Sequence, residues 1–105
     1  MRVRYAALAA DEVERILAYL HERSPLAADR VRLRLLEIER LLGQFPLVGV
    51  PMRLRWLRRI PVREHPYIVF YEAWASDVMV LAVRHSARDP SSMPGTNDPP
   101  SETED

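Results

Sequence analysis

The residues best placed to do chemistry lie between Arg53 and Arg88. His85 stands between Arg84 and Ser86, and Arg88 follows shortly after. Upstream, the run Arg53–Arg63 is dense in arginine. Histidine titrates near neutrality, so His85 can take or give a proton. Guanidinium groups present a fixed fork of donors, so Arg55, Arg59 and Arg84 can clamp a phosphate or a carboxylate. Each residue also has a plainer reading. A histidine at a strand end can simply bond to backbone. Arg53, Arg55 and Arg63 can line a solvated face, paired with Glu64 or Glu72 for little gain.

Other chemistries find less support. His21 and His65 have no metal-ligand spacing with other His, Asp or Glu, so no metal is expected. The three glycines, Gly43, Gly49 and Gly95, form no phosphate-cradling loop, and no cofactor is implied. There is no cysteine, which rules out disulfides and thiolate metal sites. No apolar run approaches the roughly 20 residues of a membrane span, and a cytoplasmic protein is expected.

The arginines need elements to aim them. Tyr67–Ala73 and Asp77–His85 are rich in Val, Ile, Phe and Tyr, with the link Trp74-Ala75-Ser76 between them, and read as a strand hairpin. Arg53–Ile60 reads as a further strand, in which the adjacent Trp56 and Leu57 break the alternation. Pro61 and Pro66 bracket a turn. Arg2–Ala7 alternates weakly as a short first strand. Trp56, Trp74, Phe70 and Tyr71 read as core or hairpin packing, although Trp74 sits at a turn, where an exposed aromatic beside arginines suits a protein interface.

Two helices fill the interval. In Ala9–Glu22, Val13, Ile16, Leu17 and Leu20 make one apolar face, with Asp11 and Glu12 expected in the first turns. Ser24-Pro25 restarts the helix, with Ser24 as cap. Ala28, Val31, Leu35, Ile38 and Leu42 form a seam that Leu36 and Leu41 widen, and Leu33 falls outside it. Gly43 suits a left-handed C-terminal cap, and Gln44–Met52 is a loop. The expected fold is α+β: an antiparallel two-helix hairpin on one face of a mainly antiparallel four-stranded sheet, in the order β-α-α-β-β-β.

The formal net charge of zero hides an asymmetry. Asp98, Glu102, Glu104 and Asp105 are acidic and end the chain, so residues 1–89 hold fifteen basic and eleven acidic groups. All fifteen basic residues are arginine, a usage that genomic base composition can also produce. An excess this small is weak for a non-specific nucleic-acid binder. Residues 1–89 are expected to form one domain, and 90–105 a disordered Pro-rich acidic tail.

Several short motifs fall in an order that resembles the ParE/RelE type II toxin superfamily. They are Ala10…Ile16…Tyr19, Pro25…Ala28…Arg30, Pro46…Gly49, Arg59-Ile60-Pro61-Val62…Pro66-Tyr67…Phe70-Tyr71, and Val83-Arg84-His85 with Ala87-Arg88-Asp89-Pro90. The last two are similar to the ParE, or plasmid-stabilisation, branch. The resemblance spans about residues 2–90. It implies a toxin neutralised by a ParD-like antitoxin in a toxin–antitoxin hetero-oligomer, and the antitoxin is expected to dock in the groove between helix hairpin and sheet. RelE-like members cleave mRNA in the ribosomal A site, whereas ParE-like members poison DNA gyrase by binding. A ribonuclease reading would use His85, Arg59 and Arg84, yet RelE-type lysines are absent and Ser86, not Tyr, follows His85. The expected function is therefore gyrase inhibition without bond chemistry, with Arg59, Arg84, His85, Arg88 and Trp74 as partner-binding residues. The alternatives are the endoribonuclease and an inert relative that only binds a partner.

Overall fold

The computed structural model describes residues 1–54 and 56–87. The chain runs β1 (Arg2–Tyr5), α1 (Ala7–Arg23), α2 (Pro25–Gln44), β2 (Val50–Pro51), β3 (Leu57–Val62), β4 (Tyr67–Ala73) and β5 (Asp77–His85). The five strands form one sheet in the order β1-β5-β4-β3-β2. Only β1 on β5 is parallel; the other pairs are antiparallel. The sheet has one strand more than the four expected, because Val50 and Pro51, read as loop, pair with Arg59 and Arg58. Two residues are too few for a periodicity to register.

The α2 start follows the sequence. Ser24 Oγ accepts from the Ala27 amide at 3.2 Å, and Pro25 takes the first helical position. The far end does not. Gly43 lies inside α2, which continues to Gln44. A Cβ there would sit 3.0 Å from the Met1 carbonyl oxygen, so the glycine permits close approach of the chain preceding β1. Likewise α1 begins at Ala7, so Asp11 and Glu12 fall beyond its first turn.

The core lies between the helices and one sheet face. Ala9, Val31, Leu35, Ile38 and Leu42 meet Val62, Tyr67, Val69, Tyr71, Val78, Val80 and Val83. Burying a side chain such as Leu35 contributes roughly 1.5–3 kcal/mol. Leu36, expected in the seam, is exposed, as Leu33 is. A second cluster, Leu57, Phe70 and Ala82, sits on the opposite face. Trp56, expected to pack, is exposed, and its neighbour Leu57 turns inward instead. Glu64, in the β3–β4 turn, has φ 73° and is tied to α2 by Arg34, whose Nη2 lies 2.6 Å from Glu64 Oε1. Arg34 of α2 is thus a partner of Glu64 that the sequence reading did not name.

Candidate functional site

A bulge decides which way the chemistry-bearing residues face. Phe70 pairs with Ala82 but Tyr71 pairs with Val80, so Leu81 is an extra residue in β5. Val78 and Val80 belong to the helix-side core, and so does Val83; Ala82 belongs to the opposite cluster. The inserted residue reverses the alternation, as bulges do. Cross-strand partners share a face. Arg59 pairs with Phe70, and Arg84 with Ile68, so both root on the face away from the helices. His85 pairs with Tyr67, on the helix side.

His85 is fixed in place. Its ring meets the Tyr67 ring edge-on, centroids 5.4 Å apart and planes at 83°. Its Nδ1 accepts from the Ala87 amide at 3.2 Å. The backbone reading of this histidine therefore describes its Nδ1. In a neutral ring the proton then sits on Nε2.

Arg84 is held by α1. Glu12 Oε1 accepts from the Val83 amide at 2.9 Å, and Glu12 Oε2 pairs with Arg84 Nε. Both side chains are largely buried, 14% exposed for Glu12 and 23% for Arg84. The parallel β1 reaches only to Val80, so beyond it β5 has an open edge that Glu12 caps. Nothing in the sequence spacing links Glu12 to residues about seventy positions away, and its partnership was not foreseen.

Trp74 lies at the other end of β5. It is 57% exposed, and its Nε1 donates to Glu72 Oε1 at 3.1 Å. Arg55 and Arg88 lie outside the described residues. Arg59 is half-buried, with no ion pair among the described residues. By strand pairing Arg59 and Arg84 root on one face and His85 on the other, the Arg84 guanidinium reaches Glu12 on α1, and Trp74 sits at the opposite end of β5.

Two further features were not anticipated. Between the helices runs a groove of about 370 Å³ lined by Tyr5, Val13, Leu17, Leu35 and Leu36, with Glu14, Arg32 and Glu39 also in its wall. The Tyr5 hydroxyl donates to Glu39 Oε2 at 2.7 Å. Burial, then the bond to Glu39 and its charge, push the Tyr5 hydroxyl well above the usual tyrosine range. The second is a clamp on the α2–β3 connection. The buried Tyr71 hydroxyl accepts from the Gly49 amide and donates to the Pro46 carbonyl, both at 2.8 Å. Arg58 Nη1 donates to the carbonyls of Leu47 and Gly49 at 3.0 and 2.8 Å. Burial raises the Tyr71 pKa, against the opposing effects of the Gly49 amide and Arg58.

Residues 3–90 match the family described as ParE toxin of type II toxin-antitoxin system, parDE. The chain belongs to the ParE toxin family. A Sinorhizobium fredii protein with the description "Putative toxin Y4kP" is 32% identical over 85 residues, covering 81% of this chain and 88% of its own. The fold also resembles a solved structure from the chromosomal ParDE toxin–antitoxin system of P. aeruginosa, with a TM-score of 0.67. That match is 16% identical and covers 81% of this chain and 95% of the other. Among the described residues no group of His, Asp or Glu could hold a metal ion, and no helix is long and apolar enough to cross a membrane.

Proposed function

We propose that this ParE-family chain is a toxin that inhibits DNA gyrase by binding it, and that a cognate antitoxin neutralises it. The observation that supports the reading is that the candidate groups are committed elsewhere: Glu12 on α1 takes Arg84 Nε, and His85 Nδ1 accepts from the Ala87 amide. Phosphodiester cleavage needs a base, an acid and cations around one phosphate. Here Arg59 roots on the sheet face opposite His85, and Glu12 occupies the Arg84 Nε. A binding toxin has no need of that convergence. Arg59, His85, Arg88 and Trp74 are the proposed contact residues, with Arg84 serving mainly to lock β5 to α1.

In place of the expected groove between helix hairpin and sheet, the antitoxin is proposed to lay an amphipathic segment in the groove between α1 and α2, whose apolar floor and charged wall suit helix-in-groove recognition. The product of a small neighbouring gene should co-purify with the chain. For the target, purified protein at stoichiometric concentration should abolish supercoiling of relaxed plasmid by gyrase. Unchanged supercoiling overturns the gyrase reading. Cuts in translated mRNA that vanish in His85→Ala would put a ribonuclease in its place.

A further inference from the structure

The α2–β3 connection exposes an unusual run of large apolar side chains. Phe45, Leu47, Val48, Val50, Leu54 and Trp56 are all exposed, Leu47 at 63%. Single exposed hydrophobics are ordinary, but a contiguous set marks an interaction surface. Flexibility does not explain it, because the core holds this segment rigid. The Tyr71 hydroxyl and Arg58 together make four bonds to its backbone. Gly49 packs so closely that a Cβ would lie 2.6 Å from Tyr71 Oη. Rigid display of apolar side chains lowers the ordering cost of binding.

The charge around the platform defines the partner. Arg59 and Arg58 pair with Val50 and Pro51 of the platform, and the sequence from Arg40 to Arg63 contains no acidic residue. Such a surface repels a second copy of itself and attracts an acidic one. The edge strand also limits the mode of docking. Pro51 of β2 has no N–H to give, which disfavours addition of a strand there. A partner must read side chains.

We infer that the Phe45–Trp56 platform is where this protein engages its cellular target, through an acidic protein surface bearing apolar anchors, and that it is separate from the groove between α1 and α2. The inference rests on the reading of the chain as a binding toxin, and to the contact residues proposed there, of which Arg59 pairs with Val50 of the platform, it adds an apolar surface and the chemistry of the target.

The test compares wild type with L47E/V48E, L47K/V48K and the control L26E, which alters an exposed residue of α2 away from the platform. Each is induced in bacteria without antitoxin, and each purified chain is titrated into gyrase supercoiling assays after its thermal melt is checked. Wild type and L26E should arrest growth and inhibit gyrase. L47E/V48E should lose potency by about tenfold or more, the effect of removing a central interface anchor. L47K/V48K should lose less, because its charge suits an acidic partner. Full potency in L47E/V48E, with a native melt, overturns the platform and leaves the gyrase reading standing. Wild-type growth arrest without gyrase inhibition, still lost in L47E/V48E, overturns gyrase as target and keeps the platform. Equal loss in the Glu and Lys pairs overturns the acidic partner. A wild-type chain that arrests no growth overturns both readings.

Discussion

Glu12 and Arg84 form a largely buried ion pair that joins the second turn of α1 to the last residues of β5. The same carboxylate also takes the Val83 amide, so one side chain satisfies two donors at an edge that β1 leaves open. Removing the carboxylate leaves the buried Val83 amide without its acceptor and takes the acceptor from Arg84 Nε. Glu12→Ala should therefore destabilise the domain by roughly 2–3 kcal/mol, measured by urea unfolding. Arg84→Met, which leaves Glu12 its bond to Val83, should cost less. Equal and negligible effects would show that the pair adds nothing to the fold.

The clamp on the α2–β3 connection predicts an ordered pair of losses. Tyr71→Phe removes one hydroxyl and leaves the Gly49 amide without its bond, costing about 1–3 kcal/mol. Gly49→Ala should cost more, because its Cβ would meet Tyr71 Oη at 2.6 Å and the Arg59 carbonyl at 2.8 Å. Thermal melts of the two variants give the order directly. Faster amide exchange at Gly49 in Tyr71→Phe locates the effect.

Tyr5 and Tyr71 give the domain an alkaline limit. Both hydroxyls titrate above the ordinary tyrosine range, first because they are buried. A raised folded-state pKa means that the folded chain holds protons the unfolded chain has released. The associated stability is complete below about pH 10, the unfolded value, and is lost as pH rises toward the folded one. Urea midpoints should fall above about pH 10 in wild type and fall less steeply in Tyr5→Phe. An identical slope in that variant would remove Tyr5 as a cause.

How much of this was readable beforehand depends on what each segment offers. The bounds of β4 and β5 followed from dense β-branched and aromatic runs closed by Pro66 and by a short polar link. The start of α2 followed from Ser24-Pro25, a signal with a single physical meaning. The orientation of Arg84 and His85 did not follow. Val80-Leu81-Ala82-Val83 is apolar throughout, so no alternation marks the extra residue that reverses the facing. Gly43 looked like a cap because its real reason, the nearby Met1 carbonyl, is more than forty residues away. Trp56 looked like core because its size argues burial, while the smaller Leu57 took the inward position. The Glu12 and Tyr71 networks depend on long-range proximity that spacing cannot reveal.

The parallel seam between β1 and β5 bears on when the molecule comes into being. Arg2 has no strand neighbour until Asp77 arrives, and Tyr5 none until Val80. A nascent chain with its helices already wound would still lack the floor they sit on. Closure across so long a stretch is slow compared with hairpin zipping. Translation must therefore pass Val80 before a complete sheet can exist, which leaves each newborn chain an interval in which it is synthesised but not yet assembled.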